Sequence, residues 1–347
     1  MEILFFFLSW TQPAINALAI AGLVLFFLWV AGGRFLMPAA WGRFADSHLM
    51  YSFRRDTVAK ASLGILLVLL VSSFACPWIA PTNPYDPASL DLMMAQTPPA
   101  WMEGGAPDQL PAFVLGADDQ GRDLLSTMLY GMRVSLVIGL GAVLVQAVLG
   151  IAIGLTAGYL GNRVEILLMR LADVQLSFST LLVAIFIGAM FRTAFGVASY
   201  ERLAVPILIC IIGLAEWPQY ARTVRASVLA EKKKEYVEAA RVVGLPTWRI
   251  MLRHILPNTL SPVLVISTVQ VANAMMTEAG LSFLGFGMPV TQPSLGSLIN
   301  AGFEYLLSGS WWITIFPGSL LVVLILSINL LGDFCRDVMN PRLYKGM

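Results

Sequence analysis

The sequence predicts an all-α protein embedded in a membrane, and three observations favour this fold class. Of its 347 residues, 58% are hydrophobic and only 12% are charged, against about 25% charged residues in an average soluble domain. The mean hydropathy of +0.76 is too high for a fold whose surface lies in water. The charged residues are also clustered, and the apolar runs between them reach the length of about 20 residues that a helix needs to cross a membrane.

Seven runs are apolar and long enough to cross the hydrocarbon core. They lie at 13–31, 61–80, 134–158, 165–190, 203–220, 260–285 and 312–334. The segment 81–112, in contrast, contains seven prolines, and each proline lacks a backbone donor and fixes φ. We therefore expect this segment to be an irregular loop rather than a helical domain.

The basic residues predict the orientation of these spans, because Lys and Arg accumulate in cytoplasmic loops. Segment 32–60 carries five basic residues and loop 221–258 carries eight, whereas 81–121 carries none and has six acids. Alternating the loops places the N-terminus on the outer side and the C-terminus in the cytoplasm. Arg192 and Arg202 lie in a predicted outer loop and argue against this orientation, but they are the minority.

The sequence lacks the features of several other functional classes. It has no G-x-x-x-x-G-K-[ST] phosphate loop, so the chain itself is not expected to bind and hydrolyse ATP in that way. His48 and His254 are far apart, no His, Cys and carboxylate cluster has metal-ligand spacing, and no G-x-S-x-G elbow is present. A net charge of +1 gives no nucleic-acid signature. We predict no metal, no cofactor bound by this chain, no catalytic residue and no nucleic-acid partner.

Two features inside the spans allow more than one interpretation. Gly150, Gly154 and Gly158 recur at every fourth position, a spacing that lets helix backbones approach closely, either within the chain or at a seam with another subunit. Glu278 lies well inside 260–285, where an ionised acid costs up to a few kcal/mol. It is expected either to line a wet translocation path together with Asn273, or to form a buried hydrogen bond with Asn273 or Thr277.

The loop 221–258 has the periodicity of a helix–turn–helix. Its first helix is predicted from Glu231 to Val243, Gly244 permits a left-handed reversal, Pro246 suits the first position of a second helix, and Pro257 ends it. The predicted apolar stripes are Tyr236, Val237, Ala240 and Val243 on the first helix, and Trp248, Met251, Leu252, Ile255 and Leu256 on the second. Periodicity alone fits equally an amphipathic hairpin on the membrane surface and a docking surface for a partner.

Several motifs of this sequence, in this order, resemble the permeases of ATP-driven (ABC) importers. Glu238-Ala239-Ala240, Gly244 and Ile255-Leu256-Pro257 resemble the EAA loop of that family, the surface that engages the ATPase subunits. His-Ile-Leu-Pro-Asn at 254–258 is the version of the dipeptide, oligopeptide and nickel branch. Further stretches resemble the same branch: GADDQGRD at 116–123, YGMRVSL at 130–136, EAGLSFLGFG at 278–287 and LLGD at 330–333.

The resemblance covers about 58–343 and implies the second of two paired permeases, the DppC/OppC-like one, with a five-helix type I importer (MetI-like) core. The implied organisation has four parts. They are 1–60, an extra transmembrane helix and cytoplasmic linker; 61–133, the first family helix and a periplasmic loop; 134–334, the permease core with the coupling loop 221–258; and 335–347, a cytoplasmic tail.

The resemblance also implies a function, which is import of di- or oligopeptides across a bacterial inner membrane by alternating access. The implied partners are a DppB/OppB-like permease, two ABC ATPase subunits that hydrolyse ATP, a periplasmic substrate-binding protein and membrane lipid. The residues expected to contact the ATPases are Glu238, Ala239, Ala240, Gly244, Leu245, Arg249, His254 and Pro257.

Two alternatives stay open from the sequence. Import of nickel or another small solute belongs to the same branch, and in such systems the binding protein largely selects the cargo. A secondary transporter would show paired, broken helices with coordinating polar groups at the midplane, and Glu278 alone is thin support for it.

Overall fold

The computed structural model describes residues 48–86, 90–102, 113–196, 200–201 and 203–338. The predicted span 13–31 and most of the predicted tail 335–347 lie outside the described residues. Within the described ranges the regular structure is helical, apart from one isolated β-bridge between Ala117 and Asp123. The predicted all-α class is therefore confirmed.

The helices of the described residues follow one another with short connections. In chain order they are α1 (His48–Arg55), α2 (Thr57–Phe74), α3 (Cys76–Ile79), α4 (Leu124–Leu160), α5 (Asn162–Leu176), α6 (Thr180–Phe195), α7 (Ala204–Glu231), α8 (Glu235–Val242), α9 (Thr247–Phe283), α10 (Leu295–Phe303) and α11 (Trp312–Val338).

Five of the described helices, α2, α4, α7, α9 and α11, are long and apolar enough to cross a membrane, or six spans if the bent pair α5–α6 counts as one. They correspond to six of the seven predicted spans, and the predicted total of seven is not confirmed. The predicted single helix 165–190 is wrong, because α5 and α6 meet at 95°.

Local hydrogen bonding explains this bend. The Ser177 hydroxyl donates to the carbonyl of Asp173 at 2.8 Å, a side-chain bond that competes with the helical ladder and bends helices. Ser179 is extended, with φ −60° and ψ 129°, so the ladder stops before α6 begins. Hydropathy averaged over the run does not detect such a break, since apolar residues such as Leu176 and Leu181 continue on both sides of it.

The described residues divide into two compact units: those from 48 to 133 together with 291–334, and those from 134 to 290 together with 335–338. The core of the first unit includes the buried side chains of Leu124, Leu298 and Ile313. The second unit is built around α7, whose buried side chains lie on all sides of the helix. The four-part organisation predicted from the resemblance stays a prediction.

The glycine repeat of α4 packs against α7 within the second unit. A Cβ built on Gly150 would lie 2.2 Å from the Cβ of Tyr220, and one on Gly154 would lie 2.5 Å from the carbonyl oxygen of Ala221. One on Gly158 would lie 2.8 Å from Val228. These distances leave no room for a side chain, so the glycines form a contact between two helices of this chain.

Candidate coupling surface and buried polar core

The candidate coupling surface comprises residues 235–257, which form α8, a turn at Gly244 and the start of α9. The N–H of Gly244 donates to the carbonyl of Arg241 at 2.9 Å, and the N–H of Leu245 donates to that of Ala240 at 3.2 Å. This pair of bonds is the Schellman ending of a helix. Gly244 has a φ of +79°, which confirms the predicted left-handed reversal.

One side of this helix–turn–helix is anchored in the second unit. Val237 and Ala240 of α8 and Ile250 and Ile255 of α9 are buried and join the hydrophobic cluster around α7. Burying an aliphatic side chain of this size contributes about 1.5–3 kcal/mol relative to leaving it exposed. α8 and the start of α9 are therefore fixed to the hydrophobic core of the second unit.

The other side is apolar and open. Val242 is 88% exposed, Val243 77%, Trp248 61% and Leu252 53%. The predicted stripes are wrong at Tyr236, Val243, Trp248 and Leu252, which are exposed. Clustered apolar residues that stay exposed in a folded unit are typical of a surface that contacts another protein or a membrane.

A π-helical segment, Ile250–Ile255, explains why the stripe predicted for the second helix is misplaced at Leu252. The N–H of Leu256 donates to the carbonyl of Met251, five residues earlier, whereas an α-helix joins residues four apart. The wider turn brings Ile250 and Ile255 to the same side and rotates Leu252 away from it. A prediction based on a period of 3.6 residues places the wrong side chains in the core.

The predicted end of the second helix at Pro257 is also wrong, because α9 continues unbroken from Thr247 to Phe283. In an α-helix a proline removes one hydrogen bond and its ring collides with the carbonyl four residues earlier. The preceding π turn widens the helix at this point. In the same turn, the Asn258 side chain donates to the carbonyl of His254 at 3.0 Å.

The structure gathers the eight sequence-predicted contact residues into this one motif. Five are exposed, Leu245 and His254 are half-buried, and Ala240 is buried. The exposed five are Glu238, Ala239, Gly244, Arg249 and Pro257. The Arg249 guanidinium carbon lies 5.6 Å from the centroid of the Trp248 ring, so it caps the exposed apolar side.

A small polar cluster ties α8 to both neighbouring helices. The Tyr236 hydroxyl donates to Oε2 of Glu231 at 2.6 Å and accepts from Nδ2 of Asn258 at 3.0 Å. Lys234 pairs with the other oxygen of Glu231 at 2.6 Å. Burial and the bond to the Glu231 carboxylate raise the pKa of the Tyr236 phenol. The phenol therefore keeps its proton at neutral pH, and its hydrogen bond to Glu231 is maintained.

Glu278 is fully buried within the second unit. Its Oε2 accepts from the Ser135 hydroxyl of α4 at 2.8 Å and its Oε1 from the Ser282 hydroxyl at 2.7 Å. The predicted buried hydrogen bond is present, but the suggested partners are wrong. Asn273 donates to Gln270 at 2.8 Å, and Thr277 donates to a different acid. The role of Glu278 and Asn273 in a path stays a prediction.

That different acid is Glu216 of α7, a buried carboxylate that the sequence analysis missed. Glu216 accepts from Gln146 of α4 at 3.1 Å and from Thr277 of α9 at 3.0 Å, so three membrane helices share one polar contact. Gln270 extends it with a longer bond to Gln146 of 3.4 Å. The sequence did contain a signal for this residue, because Glu216 is an acid inside the predicted span 203–220. Glu278 was selected as a candidate for the same reason, since it lies inside the predicted span 260–285.

Replacing Glu278 by leucine is expected to reduce the yield of folded protein. The change removes an acceptor that joins α4 to α9, and hydrogen bonds to charged groups contribute about 1.5–3 kcal/mol each. Glu278→Gln, which can still accept one bond, should lose less. Size-exclusion chromatography of purified protein measures the yield, with Met276→Leu at an exposed neighbouring position as control. Normal yield together with altered transport would instead favour a path-lining role.

The stretch 116–123 forms a closed loop in the first unit. Asp118 is fully buried, and its carboxylate accepts from the Arg122 backbone at 2.8 Å, the Gln120 backbone at 2.9 Å and the Arg122 guanidinium at 2.6 Å. Burial raises the pKa of the neighbouring Asp123 carboxyl, while hydrogen bonds from Ser126 lower it. These side chains hold the loop in a single conformation.

Two family profiles match the sequence. The one described as binding-protein-dependent transport system inner membrane component matches residues 150–345, and the N-terminal TM domain of oligopeptide transport permease C matches residues 47–99. A chain of an inward-facing structure of the MetNI methionine ABC transporter aligns with a TM-score of 0.44 and 22% identity, over 59% of this chain and 94% of that chain.

Curated relatives match over most of the chain. The di/tripeptide transport system permease protein DppC of Pseudomonas aeruginosa is 36% identical over 292 residues, which cover 84% of this chain and 90% of the relative. The dipeptide transport system permease protein DppC of Escherichia coli K12 is also 36% identical, over 84% of this chain and 91% of its own length. The chain therefore belongs to the family of binding-protein-dependent transport system inner membrane components, as a DppC/OppC-like permease of an ABC importer.

Proposed function

We propose that this chain, paired with a DppB/OppB-like permease, forms the translocation path for di- or oligopeptides. A periplasmic binding protein delivers the peptide, and two ATPase subunits hydrolyse ATP on the cytoplasmic side. Support for peptide cargo comes from the relatives, whose names specify dipeptides and di- or tripeptides. The relatives named above specify peptides and not nickel, the alternative within the same branch.

One observation carries the coupling part of this proposal: an exposed apolar surface lies on a motif that is anchored in the transmembrane core. Val242, Val243 and Trp248 are open to contact, while Val237 and Ile255 hold the same motif against α7. A partner that moves this surface therefore acts on the membrane helices. Flanking Glu238 and Arg249 add charged contacts at the rim, where polar groups favour specificity over affinity.

We infer that the candidate coupling surface faces the cytoplasm, because it lies in a loop rich in basic residues. Loop 221–258 carries eight basic residues, and basic residues accumulate on the cytoplasmic side. The proposed ATPase contact and the ATPases are then on the same side of the membrane. Loop 116–123 is on the periplasmic side, where the binding protein delivers its cargo.

Replacing Val242 or Trp248 with glutamate is expected to release the ATPase subunits and to lower peptide uptake at least ten-fold. Both side chains are exposed, so the permease itself should fold normally, whereas a charge buried unpaired in an interface costs several kcal/mol. Proteoliposomes containing the purified complex are scored for subunit content, ATP turnover and uptake. Leu307→Glu, at a position 99% exposed, is the matched control and should retain the ATPases. Full ATPase content in both variants would refute the contact.

A further inference from the structure

The facing sides of α5 and α7 in the second unit carry five charged residues around an open cavity. The cavity encloses about 460 Å³, more than ten times the ~30 Å³ that one water molecule occupies in the liquid. Its charged lining comes from both helices, and Ile166 and Met169 complete its wall. The charged residues are Glu165, Arg170, Asp173, Arg222 and Arg225.

The two acids of this cavity are already neutralised. Asp173 pairs with Arg222 at 2.6 Å, and Glu165 accepts from both Nε and a terminal nitrogen of Arg225. Arg170 is exposed and has no hydrogen-bond or ion-pair partner among the described residues. Three guanidinium groups against two carboxylates leave the cavity with one uncompensated positive charge.

The surroundings of the cavity are apolar. Ile166, Leu167 and Leu171 of α5 are all exposed, and they lie on the same helix as Arg170. Apolar side chains that stay exposed on a membrane helix are suited to acyl chains. A positive cavity beside such a surface is complementary to a molecule that carries an anion at the head of an apolar tail.

We propose that this cavity binds the headgroup of an anionic phospholipid. A phosphodiester carries one negative charge and matches the one uncompensated positive charge, and an arginine fork binds phosphate oxygens in pairs. Basic pockets between transmembrane helices are known to take anionic headgroups. Arg170 supplies the free guanidinium, Arg222 keeps donors beyond its bond to Asp173, and the acyl chains lie along Leu167 and Leu171. The cytoplasmic leaflet follows from the orientation proposed above, but the site itself does not depend on it.

The test measures retention of phosphatidylglycerol by the purified whole complex, in nanodiscs of phosphatidylcholine doped with phosphatidylglycerol, by native mass spectrometry. Arg170→Gln should weaken retention about five-fold, the effect of one basic residue near an anionic headgroup. Arg163→Gln is the matched control, since Arg163 is exposed two turns earlier on the same helix and does not line the cavity. It should stay within two-fold of the wild type.

A second variant tests the sign of the charge effect. Glu165→Gln removes a negative charge from the cavity and should increase retention, whereas a purely structural role of the Glu165–Arg225 pair predicts a decrease. Unchanged retention in Arg170→Gln, an equal loss in Arg163→Gln, or a decrease in Glu165→Gln each overturns the proposal. Displacement of the lipid by inorganic phosphate would overturn it too, by assigning the cavity to a soluble anion.

Discussion

Replacing Gly150 with alanine is expected to destabilise the protein by more than about 3 kcal/mol, the upper end of the usual cost of overpacking a core. The added Cβ would lie 2.2 Å from the Cβ of Tyr220 and 3.0 Å from the backbone of Ala221 and Trp217. The nearest atoms belong to the backbone or to a Cβ, so no rotamer change can make room. α4 and α7 would have to separate along the seam that continues at Gly154.

Two other glycines provide matched controls for this prediction. A Cβ at Gly188 would meet only the flexible end of Ile211 at 3.4 Å, and one at Gly64 would meet nothing within 4 Å. Since alanine favours a helix by about 1 kcal/mol over glycine, Gly188→Ala and Gly64→Ala should be neutral or stabilising. The measurement is the midpoint of thermal aggregation in detergent, followed by size-exclusion chromatography. Equal midpoints for Gly150→Ala and the controls would contradict close backbone contact.

Replacing Gly121 with alanine is expected to disrupt the loop 116–123 and with it the fold of the first unit. Gly121 has a φ of +75°, and an added Cβ would lie 1.8 Å from the carbonyl oxygen of Asp91. Backbone strain of about 1–2 kcal/mol adds to a collision that only a shift of the backbone relieves. The buried carboxylate of Asp118, which accepts from the backbone on either side of this glycine, would lose its geometry.

The Gly285→Ala variant separates the effect of backbone strain from the effect of the collision with Asp91. Gly285 has nearly the same φ, +78°, but nothing lies within 4 Å of its Cβ position. This variant should show the backbone strain alone, while Gly121→Ala should show the strain and the collision. The thermal midpoint and the folded yield of both variants give the difference. A loss of similar size in the two variants would show that the approach of Asp91 is unimportant.

Much of the fold could be predicted because the membrane makes strong demands on sequence. Runs such as 134–158 and 312–334 are long and apolar, and both are helices in the structure. The left-handed turn at Gly244 was predictable for a similar reason, since a glycine between a helical pattern and Leu245-Pro246 leaves few other conformations. Boundaries were less accurate: α4 begins at Leu124, ten residues before the predicted span.

Two of the misses share a physical cause, which is geometry that departs from the regular α-helix. The break at Ser177–Ser179 and the π segment before Pro257 both arise from local hydrogen bonds that composition does not reveal. The contact of Glu278 with Ser135 could not be predicted, because the two residues are 143 positions apart in the chain, whereas Ser282, one helical turn from Glu278, could have been considered. Buried polar contacts of this kind depend on how helices pack, which a single sequence does not specify.

The continuity of α9 through Pro257 has a mechanical consequence. The helix contains 37 residues, so at 1.5 Å per residue it is about 55 Å long. Trp248 lies near one end of this helix and Glu278 near the other. A force that a partner applies to Trp248 therefore tilts α9, the helix that also carries Glu278. If one end of α9 stays fixed, a tilt of about 5° displaces the other end by about 5 Å.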